Sequence, residues 1–189
     1  AGGVAPNVVQ AKATVRYAVR ARDLPGMRAL IERVKKVAEG AALMTETNVS
    51  LKVVSAVSNL LGNTPLEQSM QAQFERLGPP PFDAADRQYA ADIQATLSAE
   101  DIASAYARAG MSAPADSPLC DFIVPHGTKG AAMIGSTDVG DVSWVVPTVQ
   151  ARVATHAIGT PGHSWQITAQ GKSGQAKKGM VHAAKVMAG

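Results

Sequence analysis

The sequence predicts an α/β fold, and three observations carry that prediction. Two segments of β-branched, partly alternating character flank a helix-period segment within residues 8–57. A run of well-capped helix starts follows from Thr64 onward. From Asp121 to Gln170, short apolar runs alternate with Gly, Pro and Asp, which reads as short strands joined by loops.

In chain order, residues 8–20 (VVQAKATVRYAVR) read as a first strand. Asp23 is placed to cap a helix whose apolar positions Leu24, Met27, Leu30, Ile31, Val34 and Val37 keep helical spacing to Glu39, with Gly40 as its stop. Residues 48–57 (NVSLKVVSAV) read as a second strand. In "GNTPLEQ", Thr64 is the expected N-cap, Pro65 the first helical residue and Glu67 the partner in a capping box, and Gly78 with "GPPPFD" ends that helix. Asp83 caps a helix through Tyr89, Ile93 and Leu97, and Ser98 with Asp101 opens another to Gly110. "MSAPADSPLC" is loop, and Ser173 opens a last helix through Met180, Ala184 and Met187.

Composition narrows the class of protein. At 189 residues the chain can bury a core, and 46% hydrophobic against 17% charged residues describes a globular chain. Only 4% is aromatic, so aliphatic residues must fill that core. The net charge of +3 is small, and Lys35-Lys36 and Lys177-Lys178 are the only adjacent basic pairs. A solvated helix face accounts for both, and without a clustered basic stripe nucleic acid is not an expected partner. The single cysteine, Cys120, allows neither an internal disulfide nor a multi-cysteine metal site. No apolar run approaches the roughly 20 residues of a membrane span. A cytoplasmic setting is expected. The chain starts without Met and runs almost at once into a strand pattern, so it reads as cut from something longer.

Five motifs could carry chemistry. "QGKSGQ" has the ending of a phosphate loop, but position 166 is Gln where that loop needs Gly, so Ser173 reads as a helix cap. "APNVV" sets Asn7 after a proline, where Asn commonly makes a local turn bond. "GSTDVGDVSWVVPT" carries Asp138 and Asp141 around Gly140; by spacing alone they could flank a cation or solvate a turn. "VPHGTKG" holds a loop histidine, His126. In "TPGHSW", a Pro-Gly turn aims His163, whose imidazole could bind a metal, move a proton or fill space. His156 reads as a packed histidine, and His182 has no partner signal. No two histidines have the i, i+4 spacing of a helical zinc motif.

Taken together, "GGVAPNVV", "GSTDVGDVSWVVPT" and "GTPGHSWQ" resemble the amidohydrolase branch of the dinuclear metallo-aminoacylase and carboxypeptidase family. The resemblance spans essentially the whole chain. It implies that residues 1–62 are the second half of a ferredoxin-like α+β lid, the dimerisation domain. It implies that residues 63–189 are the C-terminal half of a zinc-peptidase-like, three-layer α/β catalytic domain. On this resemblance Asn7 reaches a substrate carboxylate, and Arg20 falls on a lid-strand arginine of structural role. Ser136 and Asp138 lie on an active-site loop that reads Gly-Ser-Glu-Asp in relatives, with Thr137 replacing the Glu. His163 supplies the last metal ligand.

The other ligands, a lid histidine and the general-base Glu are expected upstream of this chain. The cofactor so implied is a pair of divalent ions, zinc or manganese. The implied reaction is hydrolysis of N-acyl amino acids such as p-aminobenzoyl-glutamate, by a homo- or hetero-dimer joined through the lid. This chain alone is expected to be inactive. The competing expectation is a non-catalytic dimerisation or regulatory module that keeps the shape without the chemistry.

Overall fold

A computed structural model of the chain describes residues 3, 5–112, 117–130 and 135–189, and its regular structure is helical. Asp23 caps α1 (Leu24–Met44) as expected, its Oδ1 accepting from Gly26 N at 2.8 Å. Gly40 does not stop α1, because Ala41, Ala42, Leu43 and Met44 are strong helix formers and propagate the helix past it. The end comes at Thr45, whose hydroxyl donates to the Ala41 carbonyl at 2.8 Å.

The cap of α2 (Thr64–Leu77) is Asn63, one residue before the expected Thr64. Asn63 Oδ1 accepts from Leu66 N at 3.1 Å, and Glu67 Oε1 accepts from Asn63 N at 3.2 Å. Asn caps at least as well as Thr, and this choice leaves Pro65 in the first turn, where its missing N–H costs nothing. Gly78 ends α2 at φ +70°. Asp83 caps α3 (Ala84–Gln94) in a reciprocal box with Asp86, and Ser98 caps α4 (Ala99–Arg108) in another with Asp101. Two short helices follow, α5 (Val139–Ser143) and α6 (Trp165–Gln170). Ser173 caps α7 (Gly174–Ala188) by accepting from Ala176 N at 3.2 Å.

The expected α/β architecture is not observed. Among the described residues there is no strand and no sheet, neither a ferredoxin-like lid nor a three-layer α/β domain. Residues 8–20, residues 48–57 and the described runs between 121 and 170 have no ladder pairing. Alternation marks a segment able to bury one face, but a strand forms only when a neighbouring backbone takes its N–H and C=O groups. Here Val9 is 99% exposed, and Val15, Tyr17, Val53 and Val54 are also open to solvent.

The chain divides into two compact units. The first comprises Ala1–Leu60 with Ser136–Asp141 and contains α1. Inside it Ser58 N donates to Asp141 Oδ1 at 2.8 Å. A Cβ placed on Gly140 would overlap the Ser58 carbonyl, so only glycine permits this approach.

The second unit comprises Leu61–Gly135 with Val142–Gly189. Its core is Phe82, Ala90, Ile93, Leu119 and Ala157, with Tyr89 and Ala154 packed against it, and α2 lies on α7. A polar centre sits beside this core. Gln170, 1% exposed, accepts from Ala157 N at 2.7 Å and from Gln175 Nε2 at 2.8 Å through Oε1. Its Nε2 donates to the Thr160 hydroxyl and to the Gln166 carbonyl, each at 3.1 Å. At the edge, Lys178 donates to Asp83 Oδ2 at 2.6 Å and to the buried Asp86.

Two tests follow from this packing. Gln170→Leu strands the Ala157 N–H and the Gln175 amide, at about 1–3 kcal/mol for each buried group left unpaired. Urea denaturation should register a loss on that scale, and a change below about 0.5 kcal/mol would show the network to be incidental. The second test concerns pH. Hydrogen bonding from Lys178 holds the Asp83 carboxyl below its ordinary value of 3.8, so that contribution is present above 3.8 and disappears as pH falls through the lower folded value. Asp83 and then Asp86 raise the Lys178 ammonium above its ordinary 10.5, so its share is complete below 10.5 and disappears as pH rises through the higher folded value. In Lys178→Met the unfolding midpoint should fall less steeply at both extremes than in the parent chain.

Candidate functional site

His163 sits at the end of a loop that the second unit holds tightly. Ile158 N donates to the Pro118 carbonyl at 2.9 Å, and Gln94 Nε2 donates to the Ile158 carbonyl at 3.0 Å. Gly159 adopts φ +90° against Ile102, and the Thr160 hydroxyl donates to the Ala157 carbonyl at 2.7 Å. On the far side Ser164 Oγ donates to the Pro161 carbonyl at 2.7 Å and caps α6 by accepting from Ile167 N at 3.3 Å. Between these anchors His163 is exposed at φ +61°, a conformation a side chain with Cβ adopts at a cost of about 1–2 kcal/mol. Its imidazole has no hydrogen bond or ion pair among the described residues. The Pro-Gly turn therefore presents the ring to solvent and does not pack it.

In the first unit, Asn7 occupies the third position of a turn closed by Val8 N donating to the Ala5 carbonyl at 3.2 Å. The local bond common for such an asparagine is not made, and the exposed Asn7 amide is free among the described residues. The loop from Ser136 separates its two acids. Asp141 is anchored to Ser58, and hydrogen bonds from the Ser58 hydroxyl and then from its N–H hold the carboxyl below the usual value. Asp138 is exposed, has a free carboxylate among the described residues, and contributes only its backbone carbonyl, to Asp141 N at 3.1 Å. Ser136 is exposed beside Thr137, whose hydroxyl accepts from Val139 N at 3.3 Å.

The remaining histidines divide by surroundings. His126 lies 3.6 Å from Glu67 in an exposed pair. Burial lowers the pKa of His156, beside the Thr155 hydroxyl at 3.1 Å, in keeping with a packed ring. His182 is buried with no partner for Nε2 among the described residues. Burial raises the Cys120 thiol, which makes it a poor nucleophile.

Among the described residues no group of three His, Cys, Asp or Glu converges to hold an ion. A metal site needs three or more ligands, so His163 by itself does not fit a dinuclear centre. No helix among them is long and apolar enough to cross a membrane. The Gln170–Gln175–Thr160 network that fixes the loop has no counterpart in the sequence reading, because a glutamine gives no sign of burial.

No protein-family profile matches the chain, and no solved structure matches it. A curated relative does match. The chain is 39% identical over 197 aligned positions to one of the subunits of p-aminobenzoyl-glutamate hydrolase of Escherichia coli (strain K12). The match covers 99% of this chain and 41% of the relative, so the chain spans about two fifths of that protein's length. The resemblance carried by the three motifs points to the same enzyme, and the comparison bears that reading out.

Two outcomes test the site geometry. His163→Gly should leave stability unchanged or raise it by up to about 1 kcal/mol, since glycine is unstrained at positive φ while adding some unfolded-chain entropy. A clear loss in thermal unfolding would mean that the imidazole packs after all. Asp141→Ala should lower the melting temperature through loss of the Ser58 anchor, whereas Asp138→Ala should not. Equal effects from the two would refute the division of labour between them.

Proposed function

We propose that this chain is part of a metal-dependent amide hydrolase that cleaves N-acyl amino acids such as p-aminobenzoyl-glutamate. The observation that carries the reading is the 39% identity, spread over 99% of the chain, to a relative named as a hydrolase of that compound. The exposed, unpaired His163 on a strained turn supports it.

In this reading His163 would be one of several ligands to a pair of divalent ions, zinc or manganese, in the intact protein. When bound, that pair supplies an acidified water as nucleophile. The remaining ligands and the general-base Glu belong, in this reading, to polypeptide outside this chain, as the family resemblance implies. The free Asn7 amide donates its N–H to the substrate carboxylate and so orients the substrate. The Ser136 hydroxyl and the Asp138 carboxylate are the groups that the resemblance assigns to an active-site loop, and both are exposed. The relative's designation as a subunit supports an oligomer; in this reading it is a dimer through residues 1–62, homomeric or with a second kind of subunit. The proposed setting is cytoplasmic, with no nucleic-acid or membrane partner.

In the full-length enzyme, His163→Ala should reduce bound metal to about half and lower turnover by orders of magnitude. Full metal content and activity in that variant would refute the ligand assignment. Asn7→Ala should lower kcat/KM roughly ten- to a hundredfold, the value of a hydrogen bond to a charged group. A fall in melting temperature with unchanged kinetics would make Asn7 a turn residue only. Residues 1–189 alone, given manganese or zinc, should not hydrolyse p-aminobenzoyl-glutamate. Turnover comparable to the full-length enzyme would place the whole catalytic set inside this chain.

A further inference from the structure

A cleft of about 310 Å³ lies in the second unit between α4 and the loop leading into His163. Asp101, Ser104 and Arg108 line it from one helix face, and Gly159, Thr160 and Gly162 line it from the loop. Its size is at the low end of small-molecule sites, which run from about 300 to 1,000 Å³. The charges across it are balanced but do not neutralise each other. Arg108 is exposed and forms no ion pair among the described residues. Asp101 uses Oδ2 to accept from Ser98 N and Ser98 Oγ, which leaves Oδ1 without a bond among the described residues. Seven residues of helix separate the two, about 10 Å of axial rise, and Arg108 leans back toward the N-terminus as helical side chains do. The two form no ion pair with each other among the described residues, and Ser104 lies between them on the same helix face.

Helix polarity alone favours an acid in the first turn and a base in the last, so it accounts for the presence of both charges. It does not account for a rigid second wall facing them. That wall is set by Gly159 against Ile102 and by the Thr160 hydroxyl, which donates to the Ala157 carbonyl and accepts from Gln170.

We propose that this cleft binds a free α-amino acid, its ammonium on Asp101 and its carboxylate on Arg108. The proposal rests on the amide-hydrolase reading only in its choice of ligand, since such a reaction releases an amino acid. The binding itself is independent of metal and turnover.

The test is isothermal titration of L-glutamate into the 189-residue chain, with amide shifts of Gly159 and Gly162 as a local reporter. Arg108→Gln should weaken binding about tenfold or more, and Asp101→Asn, which keeps the Ser98 acceptor, should do the same. Arg108→Lys should retain part of the affinity. N-acetyl-L-glutamate, which lacks the ammonium, should bind the parent chain weakly and be indifferent to Asp101→Asn. Circular dichroism of each variant separates lost binding from lost fold. An absence of binding by the parent chain, or equal affinity in the parent and both charge variants, would overturn the proposal. Because no catalysis is measured, an inactive full-length enzyme would leave the cleft standing, and a failed titration would leave the hydrolase reading standing.

Discussion

The second unit depends on one side chain, the amide of Gln170. It is almost wholly buried, and each of its two polar atoms makes two bonds. Those bonds reach the core at Ala157, the first turn of α7 at Gln175, the loop at Thr160 and α6 itself at Gln166. In a low-dielectric interior such a group either finds all its partners or destabilises the fold, so its satisfaction fixes the relative placement of these four pieces. The loop from Ala157 to Thr160 then has little freedom. Pro161 and Gly162 extend it by two residues to His163, and Ser164 ends it by capping α6. The position of the imidazole is thus a consequence of a buried amide further along the chain.

In the first unit the corresponding constraint is the approach of Ser58 to the turn at Gly140. The absence of a Cβ lets the Ser58 carbonyl come close, and the Ser58 N–H reaches Asp141. Asp141 is committed by this contact and Asp138 is not. Two carboxylates of identical chemistry on one short loop therefore serve different purposes: one fastens the loop and the other is presented on it.

What the sequence could reveal follows from the range of each interaction. Helix starts are local: Asp23, Asp83, Ser98 and Ser173 each bond a backbone N–H in the first turn of the helix they cap, so their signals sit beside the helices they open. The shift from Thr64 to Asn63 shows the limit of this, because both are good caps and only the chain path chooses between them. Strands are not local. Residues 8–20 and 48–57 carry the right period, but the period says nothing about whether a partner backbone is present, and no strand forms in either segment. The buried polar centre is invisible in the sequence for a related reason. Gln170 bonds Ala157 and Thr160 across a loop, and Lys178 bonds Asp83 across 95 residues, contacts with no signature in composition or spacing. His163 is legible because the Pro-Gly pair beside it is a local backbone device.

The strain at His163 bears on function. Glycine at this φ would be unstrained, so the backbone gives no reason to prefer an imidazole there. Packing gives none either, since the ring is exposed and without a bond among the described residues. A structural histidine would be expected to make contacts with its ring, as the half-buried His156 does with the Thr155 hydroxyl. His163 recovers nothing inside the described residues, while the loop that presents it is anchored on both sides, at Ile158 and Thr160 and at Ser164. Rigid anchoring, an unfavourable backbone angle and an idle side chain together characterise a group held ready for something that is not part of the fold. This pattern and the 39% identity to a subunit of p-aminobenzoyl-glutamate hydrolase are the two observations on which the proposed role of His163 rests.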